Sequence, residues 1–151
     1  MSLFLKETRV IQELGRTDKA GLLTQLAEVL ATDLSGVKPK RILDLLWERE
    51  NIGSTAVGQG IAIPHGRLPG LSAPVAALAR SRQGVDFRSM DGEPVHLIMA
   101  LLLPSEVSEA HMQLLATISR LLRHPNSRRR LMQAPDRSSL YQATLTAAGD
   151  L

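Results

Sequence analysis

Nine consecutive residues, Val95–Leu103 (VHLIMALLL), carry a single polar side chain. A strand with one wet face alternates apolar and polar residues, and this stretch does not. It reads as a strand buried on both faces of a sheet. Such a strand needs a covering layer on each side, which places the chain among layered α/β folds. Pro104 ends the strand. Residues 75–82 read as a second strand, with turn chemistry at Asp91-Gly92 between the two.

The covering layers are legible as helices. Thr17 or Asp18 can cap a helix whose Leu22, Leu23, Leu26, Val29 and Leu30 follow helical spacing, and Gly36 lies beyond its end. Pro39 suits a first helical residue, and the stripe Ile42, Leu45, Leu46 continues in register to Arg49, so a cation ends an apolar face. After Pro104, Ser105 or Ser108 can cap a helix carrying Leu114, Leu115, Ile118, Leu121 and Leu122, with His111 near its start. Pro125 and Pro135 delimit two further helices over 126–133 and 136–147. Val10 and Ile11 suggest a first strand over 8–14. Helices on both sides of a few strands imply one α/β domain with a mixed sheet over 1–151.

Residues 53–68 (GSTAVGQGIAIPHGRL) stand out between these elements. Glycines and polar residues frame two short apolar runs, and one imidazole, His65, follows between Pro64 and Gly66. Proline fixes its own φ and holds Ile63 extended, while glycine removes a side chain that would hinder an anion or a partner backbone. The expectation is a stiff approach to His65 with open space behind it. Imidazole changes charge near neutral pH and is a competent nucleophile, so His65 is the first candidate for chemistry. His111 shares a face with Leu114, Leu115 and Ile118, and by spacing reads as a core histidine; yet it lies in a first helical turn, where free N–H groups and the helix dipole favour anions. His96 and His124 read as structural residues, Asp91 as a turn residue, Trp47 as packing, and the arginines at 128–130 as a solvated charge run.

Composition removes other chemistries. The chain has no cysteine, which excludes disulfides, thiolate zinc sites and cysteine nucleophiles. Its four histidines lack metal-ligand spacing, and no GxSxG elbow marks a serine nucleophile. A net charge of +3 with scattered arginines and few aromatic residues is poor material for nucleic-acid binding. No run reaches the roughly 18 apolar residues of a membrane span and the start is unlike a signal peptide, so a cytoplasmic protein is expected.

The string GSTAVGQGIAIPHGR, preceded by WERE at 47–50, together with DGEPVHLIMALLLPSEVSEAHMQLLATISRLL at 91–122, resembles the enzyme IIA domain of the phosphoenolpyruvate-dependent phosphotransferase system. The resemblance is to its nitrogen-regulatory type, with fructose and mannitol IIA domains as cousins. It implies a three-layer α/β/α sandwich with a small mixed sheet, and a protein that accepts a phosphoryl group on His65 from an HPr-like phosphocarrier. By the same resemblance Arg49 and His111 support the phosphate, no cofactor or metal takes part, and downstream regulatory or transport proteins are the further partners. A chain of this length holds only the IIA-like unit. His96 departs from the family pattern, which has acidic or other polar residues there.

Overall fold

The computed structural model describes residues 1–106 and 108–149; Val107, Asp150 and Leu151 lie outside them. Strand β1 (Leu5–Ile11) leads to helices α1 (Lys19–Ala31) and α2 (Pro39–Ile52), then to three short strands, β2 (Ala56–Gly58), β3 (Ile61–Ala62) and β4 (His65–Arg67). Long strands β5 (Val75–Val85) and β6 (Val95–Leu103) follow, and α3 (Glu109–Arg123), α4 (Pro125–Gln133) and α5 (Arg137–Gly149) complete the chain. The sheet order is β1-β5-β6-β3-β2, with β4 also paired to β6. Pairing is mixed: β1 runs parallel to β5, β5 antiparallel to β6, and β3 and β4 both parallel to β6.

Strand β6 is the axis of the molecule because each of its faces meets a helical layer. Ile98, Ala100 and Leu102 join Leu22, Leu26, Ile42 and Leu46 of α1 and α2 in one core. Leu97, Met99 and Leu101 join Ile118, Leu122, Leu131 and Leu140 of α3, α4 and α5 in the other. The alternation of side chains along a strand thus divides one apolar run between two cores. Asp18 caps α1, its Oδ1 accepting from the Gly21 amide at 2.8 Å, and Pro39 opens α2. Ser108 caps α3, accepting from the His111 amide at 3.3 Å.

The first strand lies three residues earlier than the sequence suggests. Leu5, fully buried, pairs with Ala76, whereas the chain beyond Ile11 leaves the sheet. There the Arg80 side chain takes the Gln12 carbonyl at 3.1 Å and the Leu14 amide turns to the Arg80 carbonyl at 2.9 Å. The second strand extends past Arg82 to Val85 across an irregularity in its pairing with β6.

Residues 53–68 fold as a small hairpin followed by a broken edge strand. The turn between β2 and β3 holds Gly58, Gln59 and Gly60 at φ of 86°, 58° and 77°, a conformation that explains the glycines on either side of Gln59. From Gly60 to Leu68 the chain then follows β6. The Gly60 carbonyl accepts from His96, the Pro64 carbonyl from Leu101 at 2.9 Å, and the Leu68 amide donates to Leu103 at 2.8 Å. Pro64 interrupts the strand without breaking this line, because its carbonyl still accepts.

Candidate functional site

His65 opens β4, half-buried, beside the C-terminal end of β6. Its Nδ1 lies 2.8 Å from the Ile63 carbonyl. A carbonyl only accepts, so Nδ1 carries the proton and Nε2 keeps the lone pair. The carbonyl is itself held in place: the Ile63 amide donates to Thr55 at 3.0 Å, and the next carbonyl, that of Pro64, is bound to β6. Burial pushes the His65 pKa below its ordinary value, and the positive charges of Arg49 and Arg67 act in the same direction. The hydrogen bond to Ile63 and the negative charge of Glu50 oppose this, and the net shift is downward. The ring is therefore neutral and nucleophilic at pH 7.

A cavity of about 390 Å³ opens over this ring, lined by Arg49 of α2, Arg67 of β4 and His111 of α3. The three residues singled out in the sequence, His65, Arg49 and His111, thus meet at one place. Arg49, in the last turn of α2, donates from Nη1 to the Gly53 carbonyl at 2.8 Å, which leaves the rest of its guanidinium for an anion. His111 is the third residue of α3, with its Nδ1 buried and without a hydrogen-bond partner among the described residues. Apolar walls come from Leu45, Met112 and Leu115, and Ile52 and Met112 at the margin are 83% and 58% exposed.

Two further residues escaped the sequence reading. Arg67 lies two positions beyond His65 on the same strand, so the period of two sends both side chains to one face; the HGR triplet already contained that signal. Glu50 is buried and accepts from the Thr55 amide at 2.9 and 3.2 Å and from the Thr55 hydroxyl. Its charge is met by Lys19 Nζ at 2.9 Å, which also sits 4.3 Å over the Phe87 ring. These contacts tie the start of α1, the end of α2 and residue 55 together, and residue 55 in turn holds Ile63.

The expectation of open space behind His65 is corrected at Gly66. A Cβ there would stand 3.2 Å from Leu45 Cβ and 3.3 Å from the Leu45 carbonyl oxygen. Glycine lets β4 pack directly against α2, and the opening lies on the side of the His65 ring instead. The charge run also divides, since Arg128 is half-buried while Arg129 and Arg130 are exposed.

Residues 3–146 match the family described as phosphoenolpyruvate-dependent sugar phosphotransferase system, EIIA 2. The chain belongs to this IIA family. Among its relatives, the nitrogen regulatory protein of Pseudomonas aeruginosa is 40% identical over 124 residues, 82% of this chain and 80% of that protein. The fructose-specific EIIA component of Haloferax volcanii is 39% identical over 112 residues, 74% of this chain and 73% of that one. The crystal structure of the nitrogen regulatory IIA protein from Neisseria meningitidis superimposes with a TM-score of 0.87 at 27% identity, covering 95% of this chain and 97% of that chain. The α/β fold of this IIA chain, a six-stranded mixed sheet with five helices among the described residues, is therefore the family's. No helix among the described residues is long and apolar enough to cross a membrane.

Proposed function

We propose that this IIA chain is a phosphocarrier of the nitrogen-regulatory type, accepting a phosphoryl group on Nε2 of His65 from a phosphohistidine of an HPr-like carrier. The observation that carries the reading is the His65 ring itself: Nδ1 is committed to the Ile63 carbonyl, and Nε2 is left as the nucleophile beside a cavity with two arginines and a histidine. Nε2 attacks the donor's phosphorus in line. The new N–P bond forms as the donor's N–P bond breaks, and the electron pair returns to the donor imidazole. His65 keeps its Nδ1 proton throughout, so no water or general base is needed. Catalysis is then positioning and charge compensation in a loose transition state. Arg49 and Arg67 offer cations to the phosphoryl oxygens, and His111 adds a donor at the start of α3. No cofactor or metal enters the step.

In the cytoplasm the phosphoryl group acts as a switch that changes which nitrogen- or potassium-related regulators the protein binds. The similarity to the Haloferax volcanii fructose-specific component supports a second reading, a sugar IIA that passes the group to a separate IIB protein.

The test is transfer from phosphoenolpyruvate through enzyme I and an HPr-like carrier, followed by intact mass, with wild type and His65→Ala side by side. One acid-labile phosphate on wild type and none on the variant is the expected result. No phosphate on wild type, with the carrier shown to be charged, would overturn the assignment and leave a binding module. Offering the phosphorylated protein a fructose-type IIB domain separates the two readings: rapid loss of the phosphate favours the sugar pathway, retention the regulatory one.

A further inference from the structure

His96 and the arginines at 128–130 take no part in the phosphoryl site, yet His96 and Arg128 line a second cavity of about 350 Å³ beside the N-terminal end of β6. His65 pairs with Leu101, five residues from His96, which separates the two cavities by roughly 16 Å along the strand. The second cavity has a built floor. His96 Nδ1 lies 2.8 Å from the Ser81 carbonyl, so Nδ1–H is committed there and Nε2 is left over. Gly84, at φ +91°, passes so close that a Cβ would stand 3.0 Å from His96 Cε1. On the other side Gly60, at φ +77°, leaves a point that is 2.9 Å from Arg128 Nη2 and 3.4 Å from His96 Cδ2. Two missing side chains thus let a guanidinium and an imidazole converge.

The charges around them are unbalanced in one respect. Arg128 is half-buried, and its guanidinium has no hydrogen bond or ion pair among the described residues. Of the two carboxylates nearby, Asp91 is occupied: Oδ1 accepts from the Glu93 amide at 3.0 Å and Oδ2 from the Gln59 amide at 3.2 Å. Glu93 lines the same cavity and is exposed. A half-buried, unpaired guanidinium is an anion receptor waiting for its partner.

We propose that this cavity binds the oxyanion group, carboxylate or phosphoryl, of a small metabolite. The fork of Arg128 takes two oxygens and His96 Nε2 takes one. Because Nδ1–H is already used, Nε2 donates to the oxyanion only in the doubly protonated ring. The groups facing the ring are Arg128 from α4, Glu93 from the β5–β6 loop, the Ser81 carbonyl of β5 and the Gly60 turn; Glu93 sets a rim that admits small ligands and repels polyanions.

The experiment follows the imidazole resonances of His96 by NMR while sodium sulfate or sodium acetate replaces chloride at constant ionic strength. These anions are the tetrahedral and planar probes, and their charge is fixed between pH 6 and 8. A saturable shift at His96 is expected, about tenfold or more weaker in Arg128→Gln, with Arg128→Lys in between because it keeps charge without the fork. In His96→Gln, followed at the Gly60 and Gly84 amides, binding is weaker than in wild type but still saturable, because the Arg128 fork remains. The tighter probe identifies the ligand as phosphoryl or carboxylate. A linear drift without saturation in wild type overturns the proposal, as does equal affinity in wild type and Arg128→Gln. An unchanged Tm shows that the loss in Arg128→Gln is local, and Arg128→Lys supplies the same comparison should Arg128→Gln fail to fold.

Discussion

His65 lies beside the C-terminal end of β6 and His96 belongs to that strand near its N-terminal end, and each ties its Nδ1 to a backbone carbonyl at 2.8 Å. The local device is identical, but the surroundings are not. His65 faces a cavity with Arg49, Arg67 and a second imidazole, and burial with two positive charges holds its pKa down. His96 is wedged between two glycines with one unpaired arginine beside it. A fixed tautomer is common property; the two rings differ in the number of cations placed around them.

The sharpest way to break this comparison is to remove each ring in turn. His65→Gln is expected to lose phosphoryl acceptance by at least about 10³-fold, since the nitrogen aimed at the donor phosphorus is gone. His96→Gln should leave the rate within about twofold, measured by phosphate incorporation from a charged carrier. Equal losses in the two variants would mean that the rings are not functionally distinct. Next in size is the ionic support behind His65. Lys19→Met leaves Glu50 buried without its cation and should lower stability by about 3 kcal/mol in urea denaturation. A change below about 0.5 kcal/mol would show that Thr55 alone satisfies the carboxylate.

Glycine substitutions probe the two neighbourhoods separately. Gly84→Ala combines a positive φ with a Cβ 2.9 Å from Pro94 Cβ, and about 2 kcal/mol of destabilisation is expected, with NMR shifts centred on His96. Gly66→Ala meets Leu45 at 3.2 Å in ordinary backbone and should cost about 1 kcal/mol, with shifts centred on His65. Crossed shift patterns would contradict the separation of the sites.

The smallest effect concerns pH. With the folded pKa of His65 depressed, the unfolded chain binds a proton that the folded chain refuses, so stability is full above the ordinary imidazole value and declines as pH falls through the folded one. His65→Gln should flatten that part of the stability curve. Arg67→Ala removes one of the charges that lower the pKa, and the acid limb of the transfer rate should move to higher pH.

Elements with a long period were readable in the sequence and short ones were not. Strand β6 and the start of α2 fall where the apolar run and Pro39 place them, because burial on two faces and a fixed φ leave few alternatives. The strands within 53–68 are two or three residues long and show no alternation; β3 and β4 form along β6, and β2 pairs with β3 in turn. Strand β1 was displaced toward Val10 and Ile11 by β-branched content, whereas the pairing that anchors its start is made by Leu5. His65 is marked by its Pro64 and Gly66 flanks, Arg49 and His111 chiefly by the family resemblance, and the fold brings the three to one cavity. Glu50 stayed hidden because a buried carboxylate declares itself only through its partners, Thr55 and Lys19, neither of which its helix register identifies.

The edge formed by residues 60–68 has a consequence for any protein that reads this one. His65 sits on backbone that is hydrogen-bonded to β6 before and after it, with Pro64 stiffening the approach. A group added to its Nε2 would therefore arrive on backbone held by hydrogen bonds on both sides. On the proposed function, a protein that distinguishes the two forms is expected to read mainly the altered surface potential. Discrimination between the two forms should fade as added salt shortens the Debye length toward the few ångströms that separate the interacting charges.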